Sequence, residues 1–367
     1  MSDYPARVIA FYLPQYHPIP ENDAWWGKGF TEWTNVAQAK PLFRNHYQPH
    51  VPADLGFYDL RLAETREAQA DLARNFGVEA FCYWHYWFNG KRLLEGPFDQ
   101  VFTSGQPNFP FCLAWANESW SRRWIGEEKA VLMKQTYSAT DDLTHSLWLA
   151  ERFADPRYLR VGDRPLFLVY RPKHLPDPQS FTDLLRLTCV KGGGKEPFLV
   201  GVDAHCPQYD CRQLGFDLTL RFEPQLGCLL FSHRDRFFLP KMLQNLIRGR
   251  LHLDLKIYDY TKARYQMNNS KLTHPYIPCV FVGWDNTPRR GRNGVIITGS
   301  TPERFGRGIQ QSLVATACLP KEERLIFVNA WNEWAEGNHL EPDQRFGKGF
   351  LEELRKAMDT SPSSLGN

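Results

Sequence analysis

The chain of 367 residues carries 44 Lys and Arg against 41 Asp and Glu, and a net charge of +3 sets up no field favouring a nucleic acid or another polyanion. Hydrophobic residues make up 43% and aromatics 14%, with twelve Trp, which allows a sizeable core and leaves rings over for recognition. Eight cysteines without a CxxC pair, and no apolar run approaching about 18 residues, exclude a small disulfide scaffold and a helical membrane span.

In chain order, the start MSDYPARVIAFYLP lacks a basic segment followed by an apolar run of signal length, so the expected location is the reducing cytoplasm. Arg7 to Leu13 reads as a buried strand closed by Pro14. Gln15 to Tyr58, rich in Trp, His, Pro and Gly, is too long and too aromatic for an idle connection and is expected to be a structured active-site loop. A helix is expected over Leu60 to Phe76, with Ala68, Leu72 and Phe76 on one face and Gly77 ending it, then a strand over Val78 to Trp84. The alternation continues with a strand at Pro110 to Trp115 and a helix from about Asp141 with Leu143, Leu147, Ala150 and Ala154 on one face. After a strand at Pro165 to Tyr170, a helix is expected to open at Ser180, with Asp183 completing a capping-box pattern. Strands follow at Phe198 to Val202 and Asp217 to Phe222.

Leu229 to Pro275 breaks the rhythm. Arg234, Arg236, Lys241, Arg248 and Arg250 interleave with Phe237, Phe238, Leu243 and Leu251, a pattern of amphipathic helices with a basic outer face. The last units are a strand at Tyr276 to Trp284, a helix from Thr301 with Pro302 at its first position, the strand at Leu325, and a helix near Phe350 to Met358.

About eight strands separated by helices predict an α/β fold, a (β/α)₈ barrel of the TIM type, with a long first βα loop and a helical insertion before strand 7. One catalytic domain is expected over 1–360, with the insertion at 229–275 and a flexible tail at 361–367. A doubly wound sheet would place a glycine-rich phosphate loop after its first strand, where Pro14 to His17 stand, and Gly192 to Gly194 follow a helix and form a surface turn.

In a barrel the site lies at the C-terminal ends of the strands. There the sequence places Tyr16 and His17, then His85, Tyr86 and Trp87, then Trp115, Asn117, Glu118 and Trp120. Asp203, His205, Glu223, Trp284, Asp285 and Asn286 follow, and finally LIFVNAWNEWAEGNHLEPD at Leu325 to Asp343. In that last stretch Glu333 and Glu336 become neighbours if a helical turn follows the strand, with Cβ atoms roughly 5–6 Å apart. Two carboxyls that close, flanked by Trp331 and Trp334, can be driven to different pKa values. Asp203, His205, Cys206 and Cys211 match no zinc spacing, and no G-x-S-x-G elbow is present, so neither a metal nor a Ser-His-Asp hydrolase is expected.

The segments FYLPQYHP, GFTEWTNV, HYQPH-x-P-x-DLGFYDLR, FCYWHYWF, LAWANESWSRRW, GWDNTPR and VNAWNEWAEGNHLEPD run from Val8 to about Phe350. Together they resemble the WbsX-like group, which is found with bacterial surface-polysaccharide biosynthesis and labelled as glycosyltransferases. That group is in turn similar to the family-99 glycoside hydrolases, endo-acting α-mannosidases and mannanases built on a (β/α)₈ barrel. The resemblance implies a retaining hydrolysis in which Glu333 is the base at the sugar 2-hydroxyl and Glu336 the general acid and then base.

On this basis the expected function is cleavage or transfer of glycosidic bonds, without metal or other cofactor, in a surface polysaccharide or its precursor. The substrate cleft is expected to use Tyr16, Trp33, His85, Trp115, Asn117, Glu118, Asp285 and Trp331. The partner is an oligosaccharide or polysaccharide and not a nucleic acid, and a peripheral association with membrane-bound assembly machinery stays open. The alternatives are a glycosyltransferase of polysaccharide biosynthesis and a non-catalytic glycan-binding protein.

Overall fold

The computed structural model describes residues 5–122, 127–204, 209–229, 255–268 and 272–360, with backbone only for 122 and 127–130. The expected helices of the insertion fall largely at 230–254 and 269–271, and the expected tail at 361–367, outside the described residues.

Eight parallel strands close on themselves. They are β1 (Arg7–Tyr12), β2 (Val78–Phe88), β3 (Phe111–Trp115), β4 (Arg164–Val169), β5 (Phe198–Asp203), β6 (Leu218–Arg221), β7 (Tyr276–Phe281) and β8 (Leu325–Asn329). Each pairs with its successor, and β1 pairs with both β2 and β8, in the registers Ala10↔Phe81 and Ala10↔Val328. Strands buried on both faces read as continuous apolar runs, and β8 is buried at every position.

Helices cover the outside: α1 (Ala63–Asn75), α2 (Gly96–Ser104), α3 (Ala139–Phe153), α4 (Pro178–Lys191), α5 (Tyr260–Asn268), α6 (Pro302–Thr316) and α7 (Gly349–Asp359). Thr301 caps α6 by accepting from Arg304 N, and Phe305, Ile309 and Leu313 face inward as the spacing predicts. Three expectations need correction. Helix α4 starts at Pro178, capped by Asp177 accepting from Ser180 N, so Ser180 lies inside the helix. On α1 the fully buried residues are Arg66, Gln69, Ala70 and Ala73; Leu72 and Phe76 pack half-buried against the core, while Ala68 is exposed. On α3 it is Asp141, His145, Ser146, Leu149 and Phe153, while Leu143 and Leu147 are 44% and 57% exposed. Both helices bury polar side chains with specific partners: Gln69 bonds Tyr12 and Glu341, and Asp141 accepts from the Trp87 indole.

The barrel interior is aromatic. Phe11 of β1 stacks on Trp84 of β2 at 4.8 Å and touches Phe222 and Phe327, while Trp84 meets Tyr170 edge-on. These rings plug the barrel below its C-terminal mouth. The long first loop is ordered around two short helices, Pro20–Trp26 and Glu32–Gln38, and returns to the last loop through Ala53 N to Pro342 O.

Candidate active site

Beyond β8 the chain forms a small hairpin that sets the spacing of its two glutamates. Asn332 and Glu333 pair antiparallel with His339 and Asn338, and a 3₁₀ turn, Trp334–Glu336, joins them. Gly337 closes the turn at φ 58, a left-handed position where a Cβ would also press on the His50 ring. The hairpin is held from several sides. Asn332 exchanges two hydrogen bonds with the backbone of Leu13, the Tyr16 hydroxyl donates to Asn332 O and accepts from Trp334 N, and Asn338 Oδ1 accepts from Val282 N.

Glu333 and Glu336 both meet one guanidinium. Arg289 Nη2 lies 2.5 Å from Glu333 Oε1 and Nη1 2.8 Å from Glu336 Oε1. A third carboxylate, fully buried Glu32 of the first loop, takes Arg289 Nε at 3.1 Å. Burial pushes the Glu333 carboxyl up to about 8, with Arg289 opposing and the charges of Glu336 and Glu32 assisting. Glu336 is raised as well, first by burial, against Arg289 and with Glu32. Buried Arg289 is held firmly protonated by the three acids.

The pair lines a cleft of about 390 Å³. Its walls carry Trp26, Trp84, Tyr86, Trp120, Tyr170, Phe222 and Trp284, and its polar groups include Glu118, Arg171, Arg290 and Asn329. Arg171 binds Glu118 through Nε at 3.0 Å and Nη2 at 2.6 Å. A concave site with aromatic walls and a few polar groups suits a ligand with alternating apolar faces and hydroxyls.

Of the ten residues singled out in the sequence, Glu333, Glu336 and Glu118 line this cleft together. Tyr16 is fully buried and braces the hairpin. Trp33 packs between Tyr16, Tyr58 and Trp334, donating to Tyr58 O. His85 points away from the barrel interior, stacked on Trp148 and 3.0 Å from His145 on α3. Trp115, fully buried, also contacts His145, together with Phe181 of α4. Asn117 ties Arg171 N and Arg171 O, so it sets the strand end that presents Arg171. Trp331 is buried against Phe81. Asp285 lines a second cavity of about 220 Å³, where it accepts from Gln48 and Thr287 and contacts His46 at 2.6 Å. Burial works against its charge, but these partners hold its carboxyl below the usual range.

Sequence reasoning missed Glu32 and Arg289, although both stand in quoted segments, GFTEWTNV and GWDNTPR. It also missed Trp84 and Arg171. Of the weighed metal cluster, Asp203 and Cys211 are buried, while His205 and Cys206 lie outside the described residues.

Among solved structures, the fold is similar to a GH99 endo-alpha-mannosidase from Bacteroides thetaiotaomicron, at TM-score 0.59 and 14% identity over 96% of both chains. A structure described as a glycoside hydrolase-like protein aligns at TM-score 0.57 and 12% identity, over 97% of this chain and 94% of that one. These likenesses establish the barrel architecture. In sequence, the chain is 43% identical over 364 residues to the uncharacterized protein WxcX of Xanthomonas campestris pv. campestris strain B100, covering 98% of this chain and 50% of WxcX. The WxcX of strain ATCC 33913 is 44% identical over 367 residues, again covering 50% of that protein. The chain thus spans about half the length of the curated relatives it matches. The sequence model of the family described as Glycosyltransferase WbsX matches residues 8–354, and the chain belongs to that family.

Proposed function

We propose that the protein is a carbohydrate-active enzyme that cleaves glycosidic bonds of a surface polysaccharide or its precursor, with retention of configuration, through Glu333 and Glu336. The observation that carries this reading is the placement of two buried carboxyls, both with raised proton affinity, on one guanidinium at the floor of an aromatic cleft.

In the proposed reaction Glu333 removes the proton of the sugar 2-hydroxyl while O2 attacks C1, and Glu336 protonates the departing glycosidic oxygen. This yields a 1,2-anhydro sugar and a free alcohol on the leaving unit. Water then attacks C1, losing a proton to the Glu336 carboxylate, as O2 recovers its proton from Glu333. Two inversions at C1 give net retention. A carboxylate whose proton affinity has been raised by burial is a better base toward a hydroxyl, which suits Glu333. Glu336, 20% exposed against 9% for Glu333, is the better placed to meet both a leaving oxygen and water. Since O2 is the nucleophile, the separation of the two carboxyls does not by itself set the stereochemistry.

The family description favours a second reading, transfer of an activated sugar to a growing chain. No helix of the described residues is long and apolar enough to cross a membrane. The distinguishing experiment incubates the purified protein with the surface polysaccharide or lipid-linked oligosaccharide of its source, without sugar nucleotide. Products are read by mass and by anomeric NMR. New reducing ends with the substrate's anomeric configuration, lost in Glu333→Gln and Glu336→Gln, support hydrolysis. Chain extension only after an activated donor is added supports transfer.

A further inference from the structure

A second constellation lies on the far side of the Glu333 hairpin. His50 of the first loop, and His339 and Asp343 after β8, all line the 220 Å³ cavity, and each offers one ligand-type atom within 4.8 Å of the others. His50 Nδ1 is 2.8 Å from His339 Nε2, and His339 Nε2 is 3.9 Å from Asp343 Oδ2.

We propose that His50 Nδ1, His339 Nε2 and Asp343 Oδ2 bind a divalent transition metal of the zinc class. This goes beyond the cleft chemistry and stands independently of it, and it revises the expectation of a metal-free protein. Two imidazoles and one carboxylate form a borderline-soft set that suits zinc and its neighbours over magnesium or calcium. The supporting shell of such a site is present. His339 Nδ1 sits 2.9 Å from Glu341 O, which leaves Nε2 as the acceptor atom facing His50 Nδ1, and the Tyr47 hydroxyl donates to Asp343 Oδ2 at 3.0 Å. Ligand bonds of roughly 2.0–2.2 Å ask the two imidazoles to part by about half an ångström and the carboxylate to swing in by roughly one. The fourth position would open on the cavity.

The ion would bear on the candidate active site through packing. His339 stacks on Trp334 at 3.7 Å and 14°, and Trp334 stands between Glu333 and Glu336 in the turn. Fixing His339 from both sides would fix the turn, so the metal is assigned a positioning role.

The test uses the full chain after chelation and dialysis, titrated with Zn²⁺ by calorimetry and followed by thermal unfolding, with Ca²⁺ in parallel. The expected result is one equivalent of Zn²⁺ bound at micromolar dissociation constant or tighter, with a rise of a few degrees in the unfolding midpoint at saturation. His50→Gln and Asp343→Asn should each weaken binding at least tenfold. Should either variant fail to fold, the visible absorption of Co²⁺ bound to the native protein reports nitrogen and oxygen ligation directly. Absence of stoichiometric binding, binding untouched by the folded variants, a Co²⁺ spectrum of hexaaquo type, or preference for Ca²⁺ each overturns the assignment. None of these outcomes depends on turnover, so failure here leaves the reading of the cleft standing.

Discussion

Arg289 Nε donates to Glu32 Oε2 over 3.1 Å, joining residues 257 positions apart. The bond orients the guanidinium so that its two terminal nitrogens are left for Glu333 and Glu336. Glu32 therefore acts on the pair in two ways, by geometry through Arg289 and by adding negative charge that raises the proton affinity of both acids.

Glu32→Gln keeps an acceptor for Arg289 Nε and removes the charge. The expected outcome is a fall in kcat/KM of about tenfold, with the ascending limb of the pH profile moved to lower pH because one source of the upward shift is gone. Glu32→Ala should cost more, since Arg289 then loses a buried partner. An unchanged pH profile in Glu32→Gln would separate Glu32 from the electrostatics of the pair.

The pH dependence expected of the proposed reaction follows from the same shifts. Glu333, raised to about 8, binds its proton below that value and must release it to act as base, so activity should climb through the neutral range toward pH 8. An ordinary carboxylate base would complete that rise near pH 4–5. Because the two acids share one arginine, the limb belongs to the pair. Carboxyl ¹³C NMR should show titration near pH 8 that disappears in Glu333→Gln. A pair titrating wholly below pH 6 would contradict the assignment.

The barrel was legible because its strands are apolar on both faces, so Leu325 to Val328 or Leu166 to Val169 stand out without any phase information. The same property hid the site. Along β2, Trp84 faces the interior and the cleft while His85 faces α3, and nothing in FCYWHYWF tells which phase of the two-residue period turns inward. Ala68 on α1 and Leu143 and Leu147 on α3 were misplaced for a related reason: Gln69 and His145 are buried by partners on other elements, and apolar residues at helical spacing were the more visible signal. Glu333 and Glu336 could be found from local context. Arg289 and Glu32 acquire meaning only when barrel closure brings the first and seventh loops together.

Glu223, at the end of β6, faces Arg264 at 3.3 Å with both side chains buried, at 3% and 8% exposure. Burial raises the Glu223 carboxyl, against the charges of Arg264 and Arg221. Glu223→Ala would leave Arg264 without this anion in the interior, a change expected to cost about 3–5 kcal/mol. Replacing both residues by apolar side chains should cost less than the single change. Urea unfolding of both single variants and the double variant checks this, and a double loss equal to the sum of the two single losses would show that the pair is not energetically joined.

Asn332 offers the sharpest test of how the hairpin is held. Its side chain accepts from Leu13 N at 2.7 Å and donates to Leu13 O at 3.0 Å, so an amide from the last loop substitutes for a neighbouring strand at the end of β1. It is fully buried, and water has no ready access to replace it. Asn332→Ala strands one backbone donor and one acceptor, at a cost of about 2–5 kcal/mol. The unfolding midpoint should fall by roughly 3–6 °C. Because Glu333 is the next residue, activity measured well below the new midpoint should fall further than the unfolded fraction explains. A destabilised variant with native turnover per folded molecule would mean that Tyr16 and Asn338 alone suffice to place the glutamates.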